Sequence, residues 1–403
     1  MKKKIGILTL YFNNYNYGGL LQAYALPKAL QKMGYEAEQI CFNNKKSENP
    51  LKKFEYTKKD KIIQYGFTYI FFVVKIFTKK LIAKFLLFKK DPSYSKENIQ
   101  SRNIRFKEFE QVSVDHSESI YDYTSISAAN EKYDAFICGS DQIWNPLLIR
   151  DEYLLKFVKN EKIKIAYAAS IARANLNKWE TRYIIDAIKD FKAVSLREKS
   201  SIMALSNCKN ELPITNMPDP TFLLSKDDWD DLLKKNEIKT EYNNYIFCYL
   251  LGNNILQRKI VLRYAKKTGK KIVYFPHVLG KFRAEDVNFS CIPQYACGPD
   301  EFISLIKNAD IVITDSFHAI VFSLIYQKKF VAFKRDKDSF ENDMISRISD
   351  LLESVGLSNF LINNSFTELC HSQGKIYNFK KANDWIESER GRAYAFLRDA
   401  LNK

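Results

Sequence analysis

The chain has 403 residues, 46% of them apolar and 14% aromatic. That supports a sizeable buried core, exceeds what one core usually holds, and excludes a disordered chain, so two domains of ordinary size are expected. The formal charge of +16 asks for an anionic partner, but no zinc-finger spacing, basic zipper or aromatic RNA-binding motif accompanies it, so nucleic acid is not expected.

In chain order, the first elements read as a βα unit. KIGILTL (4–10) is an apolar run of strand length, YFNNYNYGG (11–19) a loop, and LLQAYALPKALQKMG (20–34) a helix stopped by Gly34. Pro27 inside that helix predicts a kink or a split. YEAEQICF (35–42) supplies a second strand, and strand, glycine loop, helix, strand is the grammar of a doubly wound parallel sheet. The basic N-terminus leads into an apolar run too short for a secretory signal.

Residues from about 50 to 110 differ. The stretch 51–90 mixes aromatic and aliphatic residues with many lysines, and its longest apolar run, Gly66 to Val74, is too short to span a bilayer. Two readings are open: an in-plane amphipathic segment in peripheral contact with anionic membrane lipid, or a helical hairpin packed on its own domain.

The sheet grammar then resumes. KYDAFICGSDQIWN (132–145) is strand then loop, IKIAYAAS (163–170) a strand, and FKAVSLREKSSIMAL (191–205) a strand entering a helix. NMPDPTFLL (216–224) is punctuated by prolines, and the charged run 225–244 reads as a boundary. The second half repeats the pattern with NNYIFCYLLG (243–252), a helix to about Thr268, KKIVYFPHV (270–278), the helix DEFISLIKNA (300–309), DIVITDS (310–316), a helix after His318, and KKFVAFKR (328–335). The expected division is a Rossmann-like domain over 1–225 carrying the basic insertion, a second over 240–380, and a C-terminal helix over 381–403 free to return to the first. The fold class is α/β.

Seven cysteines without a CxxC pair, several in apolar strand-like runs, suit small buried hydrophobes in a reducing compartment, hence a cytoplasmic location. No histidine–acid cluster has metal-ligand spacing, so no metal is expected.

Ligands of open parallel sheets bind beyond the carboxyl ends of the strands. Five polar motifs fall there: NNYNYGG, GSDQIWN, Ser170, Arg197-Glu198 and TDSFH. Each has an alternative. Gly18 and Gly19 serve a turn or a phosphate; Asp141 caps a helix or meets a ligand; Arg197 pairs with Glu198 or another acid, or binds an anion; His318 is a satisfied core histidine or a proton shuttle. Together they point to an enzyme handling a phosphorylated or carboxylated substrate in a cleft between two α/β halves.

Those stretches, in this order and on into ISRISDLLESVGL, resemble the polysaccharide pyruvyl transferase family over most of the chain except the lysine-rich segment. The resemblance implies a GT-B-like architecture of two Rossmann-like domains facing a cleft. It implies transfer of the enolpyruvyl carbons of phosphoenolpyruvate, a co-substrate rather than a cofactor, onto two hydroxyls of a saccharide acceptor to form a cyclic ketal. A lipid-linked acceptor would give the basic segment a use at the inner membrane face. By resemblance, Arg197 holds a donor oxyanion and His318 acts in proton transfer or donor binding. Asp141 touches the sugar hydroxyls or acts as base, and Arg335 and Arg347 are secondary anion contacts. Around them Gly18, Gly19 and Ser316 are expected at the donor anion, and Asn16, Gln22, Gln142, Trp144 and Ser170 along the acceptor. Some members carry Arg-Leu-His where this chain has Ser316-Phe317-His318, and Arg335 is the candidate to restore that contact. The competing readings are a GT-B glycosyltransferase using a nucleotide sugar and a non-catalytic saccharide-binding protein.

Overall fold

β1 (Lys4–Leu8), β2 (Glu36–Phe42), β3 (His116–Tyr121), β4 (Ala135–Cys138), β5 (Ile163–Ala169), β6 (Ala193–Leu196) and β7 (Ile214–Asn216) form a seven-stranded sheet in the order β3-β2-β1-β4-β5-β6-β7. β8 (Tyr245–Tyr249), β9 (Lys271–Tyr274), β10 (Ile292–Pro293), β11 (Ile311–Thr314), β12 (Phe330–Phe333) and β13 (Leu361–Ile362) form a second, in the order β10-β9-β8-β11-β12-β13. The strand pairs are parallel throughout both sheets. Parallel sheets are covered on both faces, so their strands read as unbroken apolar runs, as AFIC and IVIT do here. The α/β class with two parallel sheets is therefore as expected. This computed structural model describes residues 2–51, 96–173, 175–205, 213–238, 242–276, 286, 289, 292–335, 344–372 and 374–402. The basic stretch 52–90, and with it both readings of that stretch, lies outside the described residues.

The helices are α1 (Tyr17–Lys32), α2 (Lys96–Ser113), α3 (Lys178–Ala187), α4 (Lys199–Leu205), α5 (Lys226–Lys235), α6 (Ile255–Thr268), α7 (Pro299–Asn308), α8 (Phe317–Ile325), α9 (Met344–Ser354), α10 (Phe366–Ser372) and α11 (Phe379–Asn402). No described helix is long and apolar enough to cross a membrane.

Two expectations for α1 are corrected. The helix starts at Tyr17, earlier than the apolar spacing suggests, because Asn16 caps it: Asn16 Oδ1 accepts from the Gly19 amide at 3.1 Å. Gly18 and Gly19 thus sit in a helical first turn rather than in a loop. Pro27 does not split the helix either. Proline removes the amide that would bond the carbonyl of Ala23, and Gln39 Nε2 from β2 donates to that carbonyl at 2.9 Å instead.

The charged run after Ser225 folds as α5, opened by a reciprocal Ser225–Asp228 cap. Trp229 on its apolar face is fully buried between Tyr24 of α1 and Phe322 of α8. One apolar cluster thus takes in residues from the layers of both sheets. At its centre Tyr17 stacks on Phe302 at 5.0 Å and donates its hydroxyl to the Cys297 carbonyl at 3.0 Å. Each such buried ring contributes roughly 1.5–3 kcal/mol, so the sheets are joined firmly. α11 crosses the join: Ala382 and Ile386 lie in that cluster, whereas Ala393, Leu397 and Leu401 pack on Ile5, Ile7 and Tyr167 of the first sheet.

Candidate active site

In each sheet the strand order reverses beside its first strand, between β1 and β4 and between β8 and β11. Crevices open beyond the carboxyl ends of such strands. Four turns meet there: those after β1, β4, β8 and β11.

After β4 the chain bends sharply. Gly139 has φ +117, and a Cβ on it would stand 2.2 Å from the Tyr167 carbonyl oxygen. Asp141 follows in the left-handed region at φ +58, its carbonyl accepting from the amides of Ile143 and Ser170 at 2.9 and 3.0 Å. That backbone turns its carboxylate toward the first turn of α1, where Oδ2 lies 3.5 Å from the place a Cβ on Gly19 would take. The Asp141 carboxylate forms no hydrogen bond or ion pair among the described residues, so of its two readings it is not a cap.

After β6 comes Arg197, whose side chain is 2% exposed. Nε donates to Glu198 Oε1 at 3.2 Å, Nη1 donates to Asp219 Oδ2 at 2.6 Å, and the guanidinium lies 4.8 Å over the Phe317 ring. Burial opposes its charge, but Glu198 and Asp219 outweigh burial and hold the arginine protonated more firmly than usual. Nη2 is buried and has no hydrogen-bond partner among the described residues. Two carboxylates thus match this one guanidinium.

Asp219, between Pro218 and Pro220, is a site residue that the sequence motifs do not single out. Its carboxylate is fully buried; Oδ1 accepts from the Thr221 amide and hydroxyl at 3.0 and 2.7 Å. Burial raises its pKa, yet His318, Arg197 and Thr221 together hold it well below the usual carboxylate range. His318 Nε2 lies 3.5 Å from Asp219 Oδ2, an ion-pair distance without hydrogen-bond alignment. The other edge of the imidazole lies against α1: a Cβ on Gly18 would stand 1.9 Å from Nδ1. His318 therefore bridges the second sheet's α8 to two parts of the first sheet's layer. The close pair flanking it in sequence is structural. Asp315 is fully buried, its carboxylate accepting from the amides of Leu251 and Gly252 at 2.6 Å each.

Arg335 is braced on that aspartate, Nη2 donating to the Asp315 carbonyl at 2.8 Å and Nε lying 3.2 Å from Oδ2. It supports the turn after β11 and is not spare to replace an arginine at 316. Ser316 is itself 4% exposed, with its amide donated to Thr314 Oγ1 at 3.0 Å. Arg347 comes closer to the expectation. It lines the same cavity as Arg197, Asp219 and Phe317, and burial together with the Arg197 charge pushes its pKa down to about 10. That cavity holds about 30 Å³, room for a water or two, so the two sheets are closed on it.

Three acceptor expectations fall differently. Trp144 is fully buried with Nε1 donating to the Tyr153 carbonyl at 3.0 Å, so it belongs to the core. Gln22 is fully buried too, tying Thr9, Gly19 and the Ser140 amide together. Ser170 is a brace, its hydroxyl donating to Glu198 Oε1 at 2.6 Å. Asn16 is exposed and Gln142 half-buried, both at the rim.

Similar structures agree on architecture. The UDP-GlcNAc 2-epimerase from Methanocaldococcus jannaschii superposes with TM-score 0.53 at 12% identity, over 94% of this chain and 93% of that one. The S. aureus MnaA–UDP co-structure gives 0.50 at 12% identity, over 100% and 97%. At such identities the likeness shows the fold alone, which is GT-B. Curated proteins give no match. The family model described as polysaccharide pyruvyl transferase matches residues 16–337, which includes the turns after β4, β6, β8 and β11. The chain belongs to the polysaccharide pyruvyl transferase family.

Proposed function

We propose that the chain transfers the enolpyruvyl carbons of phosphoenolpyruvate onto two hydroxyls of a saccharide, forming a cyclic ketal and releasing phosphate. One observation carries this reading: Arg197 Nη2 and His318 Nε2 are both buried with no hydrogen-bond partner among the described residues, on the two sides of Asp219. Buried polar atoms are rarely left so, and a small anion entering between the sheets would satisfy the arginine. The first turns of α1 and α8 face the same space, and helix N-termini favour anions. A ligand that bridged Arg197 and Arg347 would also relieve the repulsion that depresses Arg347.

In the proposed chemistry, protonated His318 delivers its proton to the methylene carbon of the enol, leaving C2 electrophilic. Asp141, whose carboxylate is uncommitted, takes the proton of the first sugar hydroxyl as that oxygen bonds to C2. The bond from C2 to the phosphate oxygen breaks, phosphate leaves with the electron pair, and the second hydroxyl closes the ring, its proton leaving with phosphate. Arg197 and Arg347 hold carboxylate and phosphate throughout without losing protons themselves. The reaction belongs in the cytoplasm, where phosphoenolpyruvate is made, on a free or lipid-linked saccharide.

The test follows phosphorus and proton resonances together, with phosphoenolpyruvate and a panel of saccharides. Inorganic phosphate should appear in step with a ketal methyl signal, and Asp141→Asn should abolish both. Saccharide modified only when a nucleotide sugar is supplied would overturn the proposal in favour of glycosyl transfer.

A further inference from the structure

Asp219 is 1% exposed in the wall of the small cavity, and an arginine and a histidine from the layers of different sheets converge on it. Its surroundings are built for rigidity. Pro218 and Pro220 flank it, and proline fixes the backbone on each side. Oδ1 is taken by the amide and hydroxyl of Thr221. The turn that follows is bolted to α11 by Arg390, which donates Nε to the Phe222 carbonyl at 2.9 Å and Nη2 to the Leu224 carbonyl at 3.1 Å. Tyr394 donates to the carbonyl between them, that of Leu223, at 3.1 Å. Oδ2 therefore points in one direction, between Arg197 Nη1 and His318 Nε2.

The consequence for Arg197 is geometric. A planar guanidinium anchored at Nε by Glu198 and at Nη1 by Asp219 cannot rotate, so the direction of Nη2 is fixed. Glu198 is itself held, Oε1 by Ser170 and Oε2 by the Ser201 hydroxyl at 3.2 Å. For His318, a carboxylate opposite Nε2 favours the tautomer that carries its proton there, which leaves the Nδ1 lone pair on the side of α1. Catalytic hydrogen bonds are often long in unliganded sites and tighten when substrate binds, which suits the 3.5 Å separation.

We infer that Asp219 is a positioning residue: one buried carboxylate that fixes both the free nitrogen of Arg197 and the tautomer of His318, so that a donor anion and its proton source are aligned before the ligand arrives. Its chemical purpose rests on the pyruvyl-transfer reading, but its geometry does not.

With four histidines in the chain, ¹⁵N-histidine labelling resolves the ring nitrogens individually. In the wild-type protein, His318 should show Nε2 protonated and Nδ1 bare at a pH where the ring is neutral. A ring protonated at Nδ1 instead would overturn the inference with no mutant needed. In Asp219→Asn, which keeps the shape and removes the charge, the His318 signals should shift toward a mixture of tautomers while those of His116 and His371 stay put. Unchanged His318 signals in a folded Asp219→Asn protein would equally overturn it. Neither readout involves phosphoenolpyruvate, so failure of the donor assignment leaves this test intact, and the reverse holds too.

Discussion

Gly18 of α1 and His318 of α8 touch across the crevice, and the contact allows no side chain on the glycine: a Cβ there would stand 1.9 Å from Nδ1. Alanine normally stabilises a helix over glycine by roughly 0.5–1 kcal/mol, since glycine loses more backbone freedom on folding. Here the clash reverses the sign. Gly18→Ala should destabilise by about 1–3 kcal/mol, in the range of overpacked cores, and should displace the imidazole from Asp219. Thermal unfolding checks the first effect; an unchanged or raised melting temperature would show that the contact is loose.

Gln39 is predicted to matter only because of Pro27. Gln39→Leu leaves the Ala23 carbonyl buried without a donor, which costs about 1–3 kcal/mol. Losing the unbonded Gln39 Oε1 returns part of that. Pro27→Ala restores the missing helical amide, so the same Gln39 substitution should cost less in that background. Denaturant unfolding of the four proteins measures the coupling; equal costs in both backgrounds would refute it.

Glu301 gives the fold a pH dependence. Burial and the adjacent Asp300 raise its pKa from 4.5 to about 7, outweighing the ion pair with Arg105 of α2. A carboxyl whose folded pKa is raised binds its proton more tightly folded than unfolded. The contribution is thus fully present below pH 4.5 and is lost as pH rises through about 7. Unfolding free energies of wild type and Glu301→Gln, compared across that window, should diverge as pH rises, with wild type losing more. Parallel curves would contradict the assignment.

Ser170 separates two roles. As a brace on Glu198 it predicts that Ser170→Ala costs roughly 1–3 kcal/mol of stability, because a buried carboxylate loses a donor. As an acceptor contact it would instead raise the acceptor KM with stability unchanged. Denaturation and steady-state kinetics on one variant distinguish the two.

The legible parts of the sequence were those with a local signature. The apolar runs at β1, β4, β8 and β11 announced buried parallel strands, and the polar residues after them fell at the crevice because parallel strands share one carboxyl end. What the sequence withheld was partnership. That Arg197 would face Glu198 was written in adjacent letters, but Asp219 lies 22 residues on and joins only through the fold. The two prolines around it were the available signal, since such a rigid frame holds a group in place. Trp144 and Gln22 misled for the opposite reason. Polar or amphipathic residues beside a crevice look like ligand contacts until burial shows that their hydrogen bonds are already spent on the turn itself. Likewise Pro27 read as a helix breaker because its compensating donor sits on another strand.

The central claim is that an enolpyruvyl phosphate is the donor held between Arg197 and His318. Calorimetric titration with phosphoenolpyruvate, on wild type and on His318→Ala, tests it without knowledge of the acceptor. The account predicts saturable binding to wild type that UDP does not displace, weakened at least tenfold in His318→Ala. Folded wild-type protein that takes up UDP and shows no heat with phosphoenolpyruvate would contradict it.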